Sequence, residues 1–261
     1  MHLYPGGVDR RTFFAAGGAL ALTAATGAAA APAHASAAPA ETVRGPMFSW
    51  SISGGFVPPG VGVLVPPPLV VYHGGLAIAD ASRALDLSGR AERDLQRHAA
   101  EVLRDKRNST RRPGAPIVAD VPADILEVRD ERNDVFRAGL DGWVMAREQR
   151  VFPKPMYELY DHVAPLRRKV SRQGQPWRPD AVLLVAVHLD LDPKDAKRWP
   201  DEVPLPPVGE DVIYKERKLR HKQARAVKRL IPHTDEGVWS HYRTRAGAFV
   251  SVNWRYLLPH E

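Results

Sequence analysis

The sequence predicts an α+β fold, with a largely antiparallel sheet and about three longer helices packed on one face. Short apolar runs with strand character follow one another along the chain, and several are joined by glycine or charged turns, which favours antiparallel pairing. Three longer segments repeat their apolar residues with a helical period. The 44% hydrophobic and 26% charged content over 261 residues is typical of a globular chain and excludes disordered and coiled-coil proteins.

Alternation and glycine turns mark the predicted strands. Phe48, Trp50 and Ile52 alternate with serines, and this period of two is typical of a half-buried strand. The runs 69–72 and 76–79 flank a turn with two glycines and therefore predict a hairpin. Further strands are predicted at 116–119, 125–129, 135–137, 181–189, 238–244 and 249–257.

Three helices are predicted from apolar stripes and end signals. The first begins at Ser88, a good N-cap residue, and runs to about residue 106. The second covers about 153–172, and Pro165 should kink it or divide it into two pieces. The third runs from about residue 212 to 230 and is strongly basic.

The domain organisation follows from composition. We expect a twin-arginine-type signal peptide at residues 1–35 and a flexible lead-in at 36–46. Residues 47–261 should then form a single globular α+β domain, with a possible sub-division near residue 175.

The first 35 residues have the features of an export signal. Arg10 and Arg11 precede Phe13 and an alanine-rich stretch that is too short and too weakly apolar to cross a bilayer comfortably. Ala33 and Ala35 supply the small residues that signal peptidase requires. We therefore expect export by the twin-arginine machinery and a secreted or envelope-associated protein. A Sec signal, or an uncleaved leader that tethers the domain, are the alternatives.

The third predicted helix is the candidate site for an anionic partner. Its apolar stripe should dock it on the sheet, so that the cations form a positive ridge facing an anionic envelope polymer or lipid. No nucleic acid is expected as partner, because no aromatic platform is interleaved with the ridge. The alternative is a solvated helix face neutralised by the Asp-rich loop before it. The candidate residues are Lys215, Lys218, Arg220, Lys222, Arg225, Lys228 and Arg229.

A second candidate site follows the most apolar strand. On a strand, His188 and Asp190 project to the same side, and Asp192 follows, so together they could hold a divalent cation. This gives the alternative function, a secreted metal-dependent hydrolase. The competing interpretation is a solvated acidic loop in which aspartates cap turns.

Other catalytic signatures are weak. The pairs Glu158/His162 and Asp94/His98 have i, i+4 helical spacing, which suits either a ligand pair or an exposed polar pair. The chain has no cysteine, no Gly-x-Ser-x-Gly elbow and no phosphate or dinucleotide fingerprint. No cofactor is indicated, and catalytic residues stay unknown.

Two tryptophans lie in predicted loops. Trp177 and Trp199 are flanked by prolines, and an exposed ring there could stack on sugar faces of a wall polysaccharide. More often a loop tryptophan folds over the core as a lid.

Three segments, Ser53–Pro59, Pro67–Tyr72 and Trp254–Pro259, resemble uncharacterised secreted proteins of high-GC Gram-positive bacteria. The resemblance implies export and brings no activity with it. Without Asp9, Arg10 and Arg11, the chain keeps 35 basic and 29 acidic residues, a net charge of +6, which favours anionic partners. We therefore predict a non-catalytic, basic, secreted or envelope-associated binding protein, with no transmembrane helix in the mature chain.

Overall fold

The computed structural model describes residues 45–116, 120–144, 147–234 and 238–261. The predicted signal motif and cleavage site lie outside the described residues, as does most of the predicted lead-in. Thr42–Glu261 form one compact unit. No helix among the described residues is long and apolar enough to cross a membrane.

The fold is α+β, as predicted, but it contains two sheets. The first sheet has seven strands, in which all neighbours pair antiparallel. Its strands are β1 (Phe48–Ser53), β2 (Leu69–Val71), β3 (Leu76–Ala79), β4 (Arg83–Asp86), β5 (Ala123–Arg129), β6 (Val135–Asp141) and β7 (Gln175–Pro176). Their order across the sheet is β6-β5-β1-β2-β3-β4-β7.

The second sheet is built entirely from the last third of the chain. Its strands are β8 (Ala181–Leu189), β9 (Lys197–Arg198), β10 (Tyr214–Arg220), β11 (Ser240–Arg243) and β12 (Phe249–Tyr256). Their order is β10-β8-β12-β11-β9, and only the short β9–β11 pair is parallel within it. The chain therefore passes from the first sheet to the second between β7 and β8, close to the predicted boundary near residue 175.

The three longer helices are divided between the sheets rather than sharing one face. The helices are α1 (Val61–Leu64), α2 (Gly89–Arg104), α3 (Lys154–Gln173) and α4 (His221–Leu230). Apolar residues of α2 and α3 form one buried core with the first sheet, whereas those of α4 form a second core with the second sheet. The Ser88 Oγ accepts the N–H of Ala91 at 3.3 Å, which confirms the predicted N-cap. Pro165 does not divide α3, which continues through it as one helix.

The third predicted helix is wrong over its first half. Residues Tyr214–Arg220 form strand β10, and the helix begins only at His221. The physical reason is β8, whose apolar residues occupy the middle of the sheet and whose backbone groups need a second neighbour. Pairing with that strand overrides the helix propensity of the lysines and arginines in β10.

Candidate anion-binding surface

The solvent-facing side of α3 carries most of the features of a binding site. The helix begins after Pro153 and buries Met156, Leu159, Val163 and Val170 against the first sheet. Its other side, together with neighbouring turns, lines two clefts. We call this region the α3 surface.

The first cleft has a volume of about 320 Å³. Tyr160, Ala164 and Ser171 line it at intervals of one or two helical turns, so the cleft runs along α3. The complete lining is Trp50, Asp80, Tyr160, Ala164, Arg167, Arg168, Ser171 and Arg172.

A salt bridge closes one side of the first cleft. An Arg167 Nη lies 2.8 Å from a carboxylate oxygen of Asp80, and the guanidinium lies 5.7 Å from the centre of the Trp50 ring. Asp80 occupies the left-handed region, with φ of 51°, in the turn between β3 and β4. Arg168 and Arg172 have no carboxylate partner in the part of the chain that the structure describes. These two arginines can therefore accept an external anion without breaking an existing pair.

A buried carboxylate, Asp124, accepts a hydrogen bond from the Trp50 side chain that lines the first cleft. The indole N–H of Trp50 donates to Asp124 at 2.8 Å, and the N–H of Val144 donates to the same side chain at 3.4 Å. Burial raises the pKa of Asp124, and these two hydrogen bonds only partly offset it. Trp50, Trp143 and Tyr160 also meet edge to face, with ring centres 5.2 to 6.1 Å apart. The aromatic wall is therefore fixed before any ligand arrives.

The second cleft, of about 200 Å³, shares no lining residue with the first. Its Arg147 forms an ion pair with Asp161 and lies 4.7 Å above the ring of Tyr160, which lines the first cleft. Lys154 pairs with Glu158 at 2.8 Å and thereby lowers the pKa of that carboxyl. The complete lining is Arg112, Arg147, Arg150, Phe152, Lys154, Tyr157, Glu158 and Asp161.

Positive charge exceeds negative charge across both clefts. Arg112 and Arg150, like Arg168 and Arg172, have no carboxylate partner among the described residues. The three carboxylates are Asp80, Glu158 and Asp161. The seven cations are Arg112, Arg147, Arg150, Lys154, Arg167, Arg168 and Arg172.

The basic ridge predicted for residues 215–229 does not form as one surface. Lys215, Lys218 and Arg220 belong to β10, and successive side chains of a strand point to opposite faces. Lys215 pairs across with Ala186 and shares its face, the one that α4 covers, whereas Lys218 and Arg220 lie on the other face. The ridge prediction is therefore wrong in its geometry, because it assumed a continuous helix.

The remaining ridge residues lie on α4, where acidic loop residues neutralise most of them. Asp180 contacts Arg225 at 2.7 Å and Lys228 at 3.2 Å, and these two cations, Lys228 first, lower the pKa of the Asp180 carboxyl. Arg229 contacts Glu202 at 2.6 Å. Lys222, the fourth ridge residue of α4, has no such partner in the described ranges. The α4 part of the ridge is therefore the solvated, neutralised helix face of the alternative, but only Glu202 comes from the predicted loop, since Asp180 precedes β8.

The candidate metal site at the end of β8 lacks a third ligand. The Nε2 of His188 lies 3.5 Å from a carboxylate oxygen of Asp190, which is 97% exposed. In the part of the chain that is described, no three His, Asp or Glu side chains come together as a metal site, and Asp192 therefore completes none. Among the described residues, His188 and Asp190 therefore offer a metal-dependent hydrolase two close side chains and no third.

The structure joins the two histidines of the i, i+4 pairs to each other. The Nδ1 atoms of His98 on α2 and His162 on α3 lie 3.0 Å apart, and the rings stack with centres 5.3 Å apart. Burial, and then His98, lower the pKa of His162. The carboxylates at i, i+4 spacing form other ion pairs. Glu158 pairs with Lys154, and Asp94 pairs with two arginines of its own helix.

The two loop tryptophans act as lids rather than as exposed platforms. The indole N–H of Trp177 donates to the carbonyl of Leu257 at 3.1 Å, and that of Trp199 donates to the carbonyl of Val203 at 2.7 Å. Trp199 is buried in the second core. Neither ring supports a sugar-stacking site.

Sequence reasoning missed the α3 surface. It used Trp50 only to predict a half-buried strand, and on α3 it weighed only the apolar stripe and the pair Glu158/His162. A signal was present: Tyr160, Arg167, Arg168, Ser171 and Arg172 recur at turn spacing beside that stripe. What the sequence could not give is that β1 and the β3–β4 turn meet this side of the helix.

Comparison with known proteins does not supply a family. No family model, no curated protein and no solved structure matches the chain. The placement of side chains in this fold is therefore the basis for a function.

Proposed function

We propose that this chain is a non-catalytic binding protein whose α3 surface holds an anionic partner. One observation carries the proposal: two adjacent clefts are lined by seven cations and only three carboxylates. Four of those cations, Arg112, Arg150, Arg168 and Arg172, are free of carboxylate partners among the described residues. Arginine is suited to phosphate and carboxylate groups, because its planar fork donates two parallel hydrogen bonds.

The arrangement favours a partner with repeated anionic groups. Arg147 lines the second cleft and lies over Tyr160, which lines the first, so a flexible polymer that passes this pair can place one anionic group in each cleft. Exposed ion pairs contribute about 0–1 kcal/mol each, so a single anion would bind weakly. Several groups on one chain add their contributions and share one association cost. Binding should weaken as salt screens these charges.

An anionic envelope polymer fits this surface better than a lipid bilayer. Both sites are concave, and the large exposed apolar side chains of the described residues do not line them. A flat membrane would meet the rims but would find no apolar group here to insert. Binding to anionic vesicles is the competing outcome.

Export completes the proposal. The twin-arginine-type leader and the resemblance to secreted proteins of high-GC Gram-positive bacteria support a secreted or envelope-associated setting. The test is the N-terminal sequence of the protein recovered from its native host. We expect a mature chain that starts after Ala35, outside the cytoplasm, whereas an intact chain with Met1 in the cytosol would contradict export.

The binding experiment uses a short inorganic polyphosphate as probe, measured by calorimetry at low and high salt. Arg168→Gln with Arg172→Gln should weaken binding about tenfold, which is about 1.4 kcal/mol. The matched control, Lys194→Gln with Lys222→Gln, removes the same charge from exposed lysines elsewhere and should change the affinity less than about twofold.

Two results would overturn the α3 assignment. Equal weakening in both double variants would mean that net charge alone binds the probe. Unchanged binding in the Arg168/Arg172 variant would place the site elsewhere. Anionic vesicles that bind more tightly than the polymer would replace the polymer by a lipid partner.

A further inference from the structure

Strand β10 forms an edge of the second sheet. It pairs with β8 along one side, and within the described sheets no strand lies on its other side. Five of its seven residues are exposed, Arg217 is partly exposed, and only Leu219 is buried. An open edge is a template on which another extended chain can pair.

The hydrogen-bond register shows which backbone groups of β10 point away from β8; the last of these residues, Arg220, is also the N-cap of α4, so its carbonyl begins that helix and only its N–H remains for a partner. The N–H of His188 donates to the carbonyl of Ile213 at 2.7 Å, and the N–H of His221 donates to the carbonyl of Asp180 at 2.7 Å. In an antiparallel pair, bonded and non-bonded positions alternate. The residues between these two bonds whose N–H and C=O groups point away from β8 are therefore Tyr214, Glu216, Lys218 and Arg220.

This open edge is positive on both faces. Lys215 and Arg217 project on the face covered by α4, and Lys218 and Arg220 project on the opposite face. Glu216 is the single acid of the strand. Lysines and arginines on an edge strand discourage pairing between two copies, because like charges would lie opposite each other. The same charges attract a chain whose side chains are acidic.

We propose that β10 binds an extended acidic segment of a partner protein by strand addition. The segment would pair with the four outward-facing backbone positions, and its carboxylates would lie opposite the cations on both faces. Main-chain hydrogen bonds would supply affinity, and side-chain charge would select the partner. This site is separate from the α3 surface and does not depend on it.

The probe is a capped peptide that repeats Glu-Glu-Thr-Thr, so that carboxylates occur on both faces of its extended form. The readout is amide hydrogen exchange at β10 in the full protein. Outward amides of Tyr214, Glu216, Lys218 and Arg220 should exchange at least about tenfold more slowly when the peptide saturates. Inward amides, which already bond to β8, serve as internal controls.

The control for backbone pairing is the same peptide with alternate amides N-methylated, which keeps every charge. We expect it to bind at least about tenfold more weakly and to leave the outward amides unprotected, while Lys194→Gln, at an exposed lysine of neither proposed site, leaves protection by the parent peptide unchanged. Glu216→Pro is the matching change on the protein: it removes one outward N–H, spares the bonds to β8 and should weaken binding similarly.

The proposal is overturned if the parent peptide does not bind at low salt. It is also overturned if binding leaves the outward amides unprotected, or if the N-methylated peptide binds equally well, because either result means charge attraction without strand pairing. Loss of binding in the Arg168/Arg172 variant would assign the peptide to the α3 surface.

Discussion

The indole of Trp50 connects the wall of the first cleft to the buried carboxylate of Asp124, and Trp50→Phe removes that connection. Asp124 is 6% exposed and keeps only the long bond from Val144 after the change. A hydrogen bond to a charged group is worth about 1.5–3 kcal/mol. With the lost ring packing added, we expect the free energy of unfolding to fall by about 2–4 kcal/mol at neutral pH.

Trp143→Phe is the matched control. Trp143 is fully buried beside Trp50, but its indole N–H has no hydrogen-bond partner among the described residues. Its replacement therefore loses ring packing alone and should cost about 1.5 kcal/mol less than Trp50→Phe.

The assay is urea unfolding monitored by circular dichroism. The unfolding free energies of the two variants are compared with the same m-value, the slope of that free energy against urea concentration. Trp50→Phe should also cost about 1 kcal/mol less when Asp124→Asn is already present, because the acceptor is then neutral. Equal losses for Trp50→Phe and Trp143→Phe would refute the reasoning, since the bond to Asp124 would then contribute nothing.

Three further predictions concern pH and backbone geometry. Burial raises the pKa of Asp124, so the native state should lose stability as pH rises from about 4 through the folded pKa. Relative to Asp124→Asn, the loss should reach up to about 1.4 kcal/mol per pH unit. A difference between the two unfolding free energies in urea that stays constant with pH would contradict this. Burial lowers the pKa of His162, so the stability that its neutral ring contributes is complete above about pH 6.5 and is lost as pH falls through the folded pKa. In calorimetry, the melting temperature of His162→Gln should therefore fall less on acidification than that of the parent. An equal fall in both proteins would count against this prediction. Gly75→Ala should destabilise the protein by at least about 3 kcal/mol, because φ is 88° and a Cβ would lie 2.6 Å from the Leu87 carbonyl oxygen. Gly74→Ala, where a Cβ would meet no atom within 4 Å, should cost about 1–2 kcal/mol. Similar losses of melting temperature in the two variants would disprove the contact.

The sequence predicted local elements well where one signal dominated. The apolar run of β8 and the alternation in β12 both correspond to the observed strands, and Ser88 caps α2. It failed for Tyr214–Arg220, because lysine, arginine and glutamate favour helices locally while the strand conformation depends on a neighbour many residues away. The division into two sheets depends on such long-range pairing, and the sequence offers only a possible sub-division near residue 175.

The sequence predicts an anionic partner from net charge, but it does not show which cations stay free of carboxylate partners. The net positive charge predicts an anionic partner, and the cation-rich segment 215–229 is the location that the sequence predicts for it. In the structure, Asp180 and Glu202 neutralise much of the positive charge of α4. Arg168 and Arg172 on α3 have no carboxylate partner in the described chain, so α3 is the better candidate for anion binding. Which cations remain available depends on which acids fold beside them, and spacing along the chain does not contain that information.

The most direct test of the α3 surface is the position of the ligand on the protein. In a ¹H–¹⁵N spectrum, the indole N–H signal of Trp50 reports on the first cleft and can be assigned with Trp50→Phe. The indole N–H of Trp254 donates to the Ile231 carbonyl in the second core, so its signal reports on the second sheet. Titration with the short polyphosphate should shift the Trp50 signal saturably and leave the Trp254 signal in place. A stationary Trp50 signal at saturation, or equal movement of both, would contradict anion binding at the α3 surface.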